Sequence, residues 1–454
     1  MFPFMKSALS KMDSDYGDIR YEIKRETVIV FNGKELTQIG SNTTDGYVLR
    51  SLKRGGFSSM AFTAKADAEK AILTVVGNGL LIAGRIREPI RLAKTEVIRS
   101  TYLPKLSEDP RSVPMEEKLE LTRRYNGLPL GREGIVTTIT GYSETIREKY
   151  FLNTEGSEIR EDLVTVRLSC SITSKEGNLI QNVRLGLGGS QGFSGLRNQE
   201  PEFEKKTAVA LALLKAEPVE GRMVNVILNP SLAGVFTHEA FGHFSEADLI
   251  EDSPTLREKM RIGEKFGNEI LSIVDDPTLP GQLGFYRYDD EGVPARSVRL
   301  LEKGVLAGRL HSRRTAAAFG EPLSGHSVAE DYRFAPIIRM GNIFIEPGPH
   351  SLDELLERLG DGLYLLDSMG GETSGENFTF GAQYGYEVKN GKMGKMVRDV
   401  NISGNLFHTL RNIRAVGDDL VLSKVGGCGK GQMNIRSCNG GPHILVHEVI
   451  VGGR

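Results

Sequence analysis

The stretch Thr237–Asp248, T-H-E-A-F-G-H-F-S-E-A-D, restricts the fold most, because it sets two histidines five positions apart. An apolar run typical of a buried strand, Met223–Leu228, precedes it. On an ideal α-helix, five steps of about 100° turn the second side chain roughly 140° from the first. A single π-type turn would bring His238 and His243 together, so a conventional helix with its histidines four positions apart is not predicted. Gly242, just before the second histidine, is where backbone freedom would make this distortion cheapest.

The residue types in this stretch are those of a zinc hydrolase. Two imidazoles can hold the ion, and Glu239, next to the first histidine, can take a proton from water at the metal. The alternative is that His238 caps or packs inside an ordinary helix and that its pairing with the glutamate is chance.

A catalytic zinc normally takes three protein ligands and leaves the fourth position to water. Glu246 and Asp248 lie about one turn past the second histidine and compete for the third place. Cys428 lies far away in sequence, within V-G-G-C-G-K-G-Q, where glycines on both sides allow a close approach of the thiolate. Cys438, within R-S-C-N-G-G, is a further candidate. From the residues alone, Cys428 is only slightly favoured over Glu246 as the third ligand.

Composition restricts the class of protein. With 454 residues, 39% hydrophobic and 26% charged, the chain is typical of a soluble globular protein of two or three domains. A formal net charge of −2 without a basic block argues against a nucleic-acid partner. No apolar run of about 18 residues exists, so no membrane span is predicted, and the N-terminus lacks the pattern of a signal peptide.

The three cysteines are an odd number and do not suggest a disulfide framework, which favours a cytoplasmic location. Cys170 lies inside an alternating strand and is predicted to be a packed thiol without function.

Strand and turn signals predict an α+β fold. We expect a small N-terminal α+β domain at residues 1–80, a linker at 81–114, a central β-rich meander at 115–220 and a C-terminal domain at 221–454. The last should be a β-rich sandwich or open barrel with the motif helix packed on it. The predicted elements used below are strands at Ile19–Lys24, Thr27–Phe31, Gly134–Tyr142 and Thr145–Thr154, a turn at Asn153–Ser157, and helices at Ala64–Val75, Glu202–Leu214 and Leu352–Leu359.

Four motifs, in this order and at these separations, resemble the TldD/PmbA family of metallopeptidases. They are His238–Asp248, Asp289–Pro294 (D-D-E-G-V-P), Arg339–Gly348 (R-M-G-N-I-F-I-E-P-G) and Gly427–Gln432 (G-C-G-K-G-Q). The match covers nearly the whole chain, and H-E-x-x-x-H with a distant cysteine is its most specific part.

The resemblance implies that His238, His243 and Cys428 hold the metal, that Glu239 is the catalytic base, and that residues 221–454 form the metallopeptidase domain. Members of the TldD type keep this motif, whereas PmbA-type (TldE) partners lack it, so the chain resembles the catalytic subunit. The family trims unfolded peptides and leader segments inside a closed dimer cavity. This implies a peptide substrate and a homodimer, or a heterodimer with a PmbA/TldE-like subunit.

Several points stay open in the sequence. The expected metal is zinc, since a thiolate with two imidazoles favours it over iron or manganese. Three residues are unranked candidates for stabilising the oxyanion, namely His408, Tyr384 and Arg411. The alternatives to a peptidase are a non-catalytic or partner-dependent subunit with a structural metal, which would use four protein ligands, and a zinc amidase acting on small molecules.

Overall fold

The computed structural model describes residues 1–433 and 435–452. One seven-stranded sheet organises the N-terminal half of the chain, with strand order β3-β2-β1-β5-β6-β4 and with β7 also paired to β6. Its strands are β1 (Tyr16–Asn32), β2 (Glu35–Lys53), β3 (Gly56–Phe62), β4 (Arg99–Tyr102), β5 (Ile135–Asn153), β6 (Glu158–Glu176) and β7 (Leu179–Gly189). Because β1 pairs antiparallel with β5, the sheet joins the first part of the chain to the segment that follows residue 115.

Two pairs of predicted strands are single long strands. Ile19–Lys24 and Thr27–Phe31 both lie in β1, and the two predicted strands from Gly134 to Thr154 correspond to β5. The dipeptides at the predicted breaks, Arg25-Glu26 and Ser143-Glu144, contain no glycine or proline, and their ladder pairing continues without a turn. The predicted turn at Asn153–Ser157 is confirmed, since β5 ends at Asn153 and β6 begins at Glu158.

Helices cover parts of this sheet. In chain order they are α1 (Phe2–Leu9), α2 (Ala68–Ala83), α3 (Met115–Leu130) and α4 (Glu200–Ala212). The helix predicted at Ala64–Val75 begins later, after a 3-10 turn, and continues for eight residues more. It buries Ala71, Ile72 and Val75 against the sheet, which is the apolar stripe expected of an amphipathic helix.

The C-terminal half contains an eight-stranded sheet (β16-β9-β23-β19-β17-β18-β8, with β20 on β23), a six-stranded sheet (β12-β11-β10-β15-β22-β21) and the pair β13-β14. The strands are β8 (Glu217–Pro218), β9 (Arg222–Leu228), β10 (Ile273–Asp275), β11 (Val298–Glu302), β12 (Val305–Leu306), β13 (Ser327–Val328), β14 (Ile337–Ile338), β15 (Asn342–Ile345), β16 (Gly362–Ser374), β17 (Asn377–Lys389), β18 (Lys392–Arg398), β19 (Val400–Asn405), β20 (Ile413–Val416), β21 (Val421–Leu422), β22 (Cys438–Gly441) and β23 (Ile444–Gly452). The helices are α5 (Pro230–Thr237), α6 (Ala247–Ile250), α7 (Pro254–Lys259), α8 (Arg313–Phe319), α9 (Leu352–Leu359) and α10 (Leu406–Arg411).

Helix α5 lies between the two larger sheets. It contacts β16 of one sheet and both β15 and β22 of the other. Leu232, Phe236 and Phe241 from this region belong to a core cluster that also takes side chains from both sheets. The α+β class and the packing of the motif helix on the β-rich part are therefore confirmed. None of the helices within residues 1–433 and 435–452 is long and apolar enough to cross a membrane.

Buried charges connect the N-terminal sheet to the C-terminal half. Nζ of Lys149, on β5, lies 3.1 Å from Oδ1 of Asp290 and 3.1 Å from Oε2 of Glu161. Nη1 of Arg20, on β1, lies 3.7 Å from the same Asp290 atom. Asp290 belongs to the D-D-E-G-V-P motif, so that motif supports the junction between the two halves.

Candidate metal centre

The helix before the histidines starts at a well-defined cap. The side chain of Asn229 accepts a hydrogen bond from the backbone N–H of Leu232 at 3.1 Å, and Pro230 occupies the first helical position. Strand β9 ends at Leu228, inside the eight-stranded sheet, so the cap follows a fixed strand directly. Strand β9 and the Asn229 cap therefore fix where helix α5, which leads into the histidine motif, begins.

The histidine motif contains the π-type turn that a shared metal site calls for. α5 ends at Thr237, a π-helical segment covers His238–Gly242, and a 3-10 turn follows at His243–Ser245. The i to i+5 spacing of that turn sets the two imidazoles on one side of the chain. Gly242 has ordinary helical backbone angles, with φ −56° and ψ −51°. It is closely packed instead, because a Cβ there would lie 2.1 Å from Sδ of Met340, so that side chain would have to shift.

Three side chains gather at this turn. Nε2 of His238 lies 2.9 Å from Sγ of Cys428, and Nε2 of His243 lies 3.5 Å from the same sulfur. The donor atoms of the three residues all lie within 4.8 Å of one another. The imidazole rings are nearly perpendicular, at 89° with centroids 5.2 Å apart. One ion could contact all three donor atoms.

The electrostatics favour a thiolate at this position. Burial would raise the pKa of Cys428, but hydrogen bonds with His238 and His243 lower it to about 6. Burial likewise opposes the charge on His243, yet its bonds with Cys428 and Glu246 raise its pKa to about 10. These contacts stabilise a thiolate at Cys428, and a bound dication would stabilise the same negative charge.

The donor set fits zinc. Two imidazoles and a thiolate are ligands that zinc accepts readily. In residues 1–433 and 435–452 the group has three members, whereas a structural zinc site uses four protein ligands. Nδ1 of His238 is buried without a hydrogen-bond partner, so the polar contact of this ring is made by Nε2 on the side of the sulfur. Three protein donors are the number that a catalytic zinc site normally uses, with the fourth position left to water.

Glu239 lies at the edge of this group. Its Oε2 is 3.9 Å from Nε2 of His243, and its side chain is 25% exposed. Its backbone carbonyl accepts a hydrogen bond from Oγ1 of Thr373 at 3.4 Å, which attaches the turn to strand β16. A partly exposed carboxylate next to the donor atoms can exchange a proton with water in the site.

Glu246 occupies the opposite side of the His243 ring. Its Oε2 lies 3.2 Å from Nδ1 of His243, whereas Nε2 faces the sulfur. Glu246 is completely buried and also accepts a hydrogen bond from Nζ of Lys430 at 2.9 Å. Burial would raise its pKa, but His243, Lys430 and Arg339 lower it. Nζ of Lys430 also donates to Asp248, at 2.8 Å.

The sequence predicted Glu246 and Asp248 only as competing ligands. It did not predict that Lys430 donates hydrogen bonds to both carboxylates. The lysine lies two residues after Cys428 in the G-C-G-K-G-Q motif, and that position was the available signal. Arg339, from another of the four motifs, is fully buried with Nε 4.0 Å from Oε1 of Glu246. Lys430 and Arg339 therefore both lie close to the Glu246 carboxylate and compensate its negative charge.

The remaining cysteines lie elsewhere. Cys438 is in β22, and its Sγ donates to the carbonyl of Ser423 at 3.1 Å. Cys170, on β6, accepts a hydrogen bond from Thr140 and packs in a core cluster of the N-terminal half. Neither belongs to the group of donor atoms.

The three oxyanion candidates make other contacts. The His408 side chain is 60% exposed and lies 3.7 Å from Glu448. Tyr384 is buried in a core cluster that also contains Tyr142 and Phe203, and Arg411 is exposed on α10. None of the three has a recorded polar contact with the donor group among the described residues.

Comparison with known families matches the chain in three consecutive parts. PmbA/TldA metallopeptidase domain 1 matches residues 17–79, the central domain matches 108–217, and the C-terminal domain matches 220–453. The chain is thus a metallopeptidase. It belongs to the TldD/PmbA family, as the four motifs predicted.

Curated relatives agree with this membership. A metalloprotease of Synechocystis is 33% identical over 443 residues, covering 97% of this chain and 95% of the relative. A metalloprotease of Methanothermobacter thermautotrophicus is 34% identical, covering 97% and 96%. The zinc metalloprotease TldD homolog of Saccharolobus solfataricus is 30% identical and covers 100% of both chains.

Solved structures share the fold. A Thermotoga maritima protein described as a proposed modulator of a DNA gyrase superposes with a TM-score of 0.81 at 21% identity, covering 99% of this chain and 100% of that one. TldE from Thermococcus kodakarensis superposes with a TM-score of 0.80 at 17% identity and covers 100% of both. At these identities the likeness concerns the fold alone.

Proposed function

We propose that this chain is a zinc-dependent metallopeptidase that hydrolyses unfolded peptides or leader segments. In this proposal His238, His243 and Cys428 hold the zinc, Glu239 is the catalytic base, and residues 221–454 form the catalytic domain. The observation that carries it is the gathering of three donor atoms within 4.8 Å, although Cys428 lies 185 residues after His243. The name of the Saccharolobus relative, a zinc metalloprotease, supports the choice of metal.

The chain's own residues supply proton transfer and orientation. Bound zinc would polarise the scissile carbonyl and make water more acidic at neutral pH. Glu239 accepts the proton of the attacking water and delivers it to the leaving amine, a role suited to a carboxylate at the open edge of the site. Glu246 holds His243 through Nδ1, which keeps Nε2 directed to the donor group.

The proposed substrate is an extended chain, because β-rich walls next to the site can pair with a peptide as an added strand. We further propose that the enzyme works as a dimer, either with itself or with a PmbA/TldE-like subunit, and that a closed dimer cavity keeps folded proteins out. The structural likeness to TldE supports a partner of that kind. Free thiols at Cys170, Cys428 and Cys438 suit work in the cytoplasm.

The test combines metal analysis with peptide cleavage, on the chain alone and with a TldE-like partner added. The wild type should bind about one zinc per chain and cleave a disordered peptide. Cys428→Ala should lose both properties, and Glu239→Gln should keep zinc and lose cleavage. Cys438→Ala is the matched control, since it removes a buried thiol outside the donor group.

Two outcomes would reject parts of the proposal. Retention of zinc by Cys428→Ala would mean that another residue, such as Glu246 or Cys438, is the third ligand. Stoichiometric zinc without cleavage of any disordered peptide, with the partner present, would favour a structural metal in a non-catalytic subunit. Cleavage of small amides but not of peptides would identify an amidase instead.

A further inference from the structure

A second polar site lies away from the metal centre, between the N-terminal sheet and the C-terminal half. It is a cavity of about 250 Å³ whose floor is formed by β1, β5 and β6 and whose wall includes Arg436. Arg436 follows Ile435, whose carbonyl accepts a hydrogen bond from the backbone N–H of Cys428 at 3.2 Å. The cavity is therefore attached to the loop that carries the proposed cysteine ligand.

The sheet register sets hydroxyl groups on the floor of this cavity. Thr145 on β5 lies directly opposite Thr165 on β6, and Ser143 lies opposite Arg167. Residues directly opposite one another in an antiparallel pair share a face of the sheet. Three hydroxyls and one guanidinium thus face the same space, and all four residues line the cavity.

Among the described residues, two of the guanidinium groups at this site form no ion pair with a carboxylate, although Glu26 and Glu330 also line the cavity. Nε of Arg167 and Nε of Arg436 are both buried without a hydrogen-bond partner. Nη2 of Arg436 donates to Oγ of Ser190 at 2.6 Å, which is a neutral partner. Within residues 1–433 and 435–452, neither guanidinium has a carboxylate oxygen within 4.0 Å. Both side chains are half-buried, and a charge that is partly removed from water is costly when no carboxylate pairs with it.

The neighbouring cations differ in this respect. Nζ of Lys24 lies 2.9 Å from Oε1 of Glu26, and Nε of Arg147 lies 2.6 Å from Oε1 of Glu22. Both line the same cavity, yet each already has a carboxylate. Arg167 and Arg436 are therefore the lining cations that form no ion pair among the described residues.

The pKa values agree with the geometry. Burial, together with the neighbouring Arg147 and Arg167, lowers the pKa of Arg436 to about 9, although the Glu161 carboxylate acts in the opposite direction. Burial also lowers the pKa of Arg167. Both shifts mean that the surroundings disfavour the positive charge when nothing negative is bound.

We propose that this cavity binds a small oxyanion, a carboxylate or phosphate group, between the guanidinium groups of Arg167 and Arg436. Guanidinium groups match the planar fork of a carboxylate and the oxygens of a phosphate, and hydroxyls of Ser143, Thr145 and Thr165 can donate the remaining hydrogen bonds. The ligand supplies the missing negative charge. Its binding also fixes the segment from Arg436 back to the Cys428 loop.

The experiment measures binding to the zinc-loaded protein by calorimetry and by thermal unfolding at constant ionic strength. The probes are inorganic phosphate, N-acetylglycine, and N-acetylglycine amide as the neutral control. We expect phosphate or N-acetylglycine to bind the wild type and raise its Tm, and the amide to do neither. Arg436→Gln and Arg167→Gln should each weaken binding about tenfold or more.

A second readout separates this site from a merely structural role. In chloride buffer without either oxyanion, Arg436→Gln should have an equal or higher Tm than the wild type, because it removes a half-buried charge that forms no ion pair among the described residues. Arg160→Gln is the control for net charge. Arg160 lies on β6, as Arg167 does, but it points to the other face of the sheet and pairs with Asp162 there.

The outcomes identify the class of ligand and test whether it binds in this cavity. Tighter binding of phosphate assigns a phosphorylated or inorganic ligand, and tighter binding of N-acetylglycine assigns a carboxylate such as a peptide terminus. Binding that both arginine variants retain at full strength would put the anion elsewhere, for instance at the zinc, and would overturn the proposal. So would the absence of any oxyanion effect on the wild type.

Discussion

Nδ1 of His243 lies 3.2 Å from Oε2 of Glu246, while Nε2 of the same ring lies 3.5 Å from the sulfur of Cys428. The carboxylate accepts a hydrogen bond from Nδ1–H, and in the neutral ring this leaves the lone pair of Nε2 directed to the donor group. Because Glu246 is completely buried and also accepts from Lys430, the ring cannot rotate away cheaply. The pair orients a proposed metal ligand from the side opposite the metal.

Replacing Glu246 by glutamine keeps the shape but weakens this orientation. We expect Glu246→Gln to lower zinc affinity about 10- to 100-fold, as measured by competition with a chromogenic chelator. Asp248→Asn is the control, because Asp248 shares Lys430 but makes no hydrogen bond to His243. Equal affinities for the wild type and Glu246→Gln would show that His243 does not need its carboxylate partner.

The packing at Gly242 leads to a stability prediction. A Cβ at this position would meet Sδ of Met340 at 2.1 Å, so Gly242→Ala should reduce the free energy of unfolding by about 1–3 kcal/mol. The same clash should disturb the π-helical turn and lower the bound zinc. Met340→Ala removes the obstructing sulfur, and the double variant should recover part of the zinc. Chemical denaturation and metal analysis check both effects, and normal zinc in Gly242→Ala would contradict them.

The three cysteines should differ in reactivity. Burial raises the pKa of Cys170 to about 11 and that of Cys438 to about 12. At pH 8 roughly one in a thousand or fewer of these thiols is ionised, and alkylation requires the thiolate. Their labelling should stay slow and increase about tenfold per pH unit below these values.

Cys428 should behave differently, because hydrogen bonds with His238 and His243 lower the pKa of its thiol to about 6. We expect iodoacetamide to modify it in zinc-free protein at pH 8, and added zinc to protect it. Peptide mapping by mass spectrometry identifies the labelled position. Protection of Cys170 or Cys438, rather than Cys428, would speak against the proposed ligand.

The Asp290–Lys149 contact should contribute to acid sensitivity. Burial alone would raise the pKa of Asp290, but Lys149, Arg20 and Arg147 lower it well below its usual range. A carboxyl group with a lowered pKa stabilises the fold at pH values above its unfolded pKa, about 3.9, and that contribution is lost as pH falls through the folded value. Asp290→Asn should therefore destabilise the protein at pH 7 and have progressively less effect below about pH 4.

A double-variant cycle isolates this contact. Lys149→Met alone leaves buried carboxylates without their cation and should cost about 3–5 kcal/mol. Combined with Asp290→Asn it should cost clearly less than the sum of the two single changes, measured by urea denaturation at pH 7. Strict additivity would mean that the two residues do not act as a pair.

Local patterns determined much of this protein. With histidines five positions apart, a shared metal site calls for a π-type turn, and that turn is present at His238–Gly242. Helix Leu352–Leu359 has the predicted bounds, with Ser351 as its N-cap. These features depend on neighbours in sequence, so a single chain is enough to predict them.

The extent of the strands depended on contacts between distant segments. Arg25-Glu26 and Ser143-Glu144 are polar enough to suggest breaks, but ladder pairing between β1 and β5 holds both dipeptides in long strands. In the same way, the sequence marked Asp289–Pro294 as a motif without giving it a place. Its burial against Lys149 and Arg20 becomes apparent only when the N-terminal sheet meets the C-terminal half.

The proposed metal site could likewise be predicted only in part from the sequence. The sequence supplied His238, Glu239 and His243 within one short stretch, together with the thiol of Cys428 in a glycine-rich loop. Only the tertiary structure brought the cysteine to both imidazoles, and only it turned Glu246 to the far nitrogen of His243. The reason is physical: side-chain periodicity fixes directions along one helix, whereas the approach of a residue 185 positions away depends on how the two sheets pack around that helix.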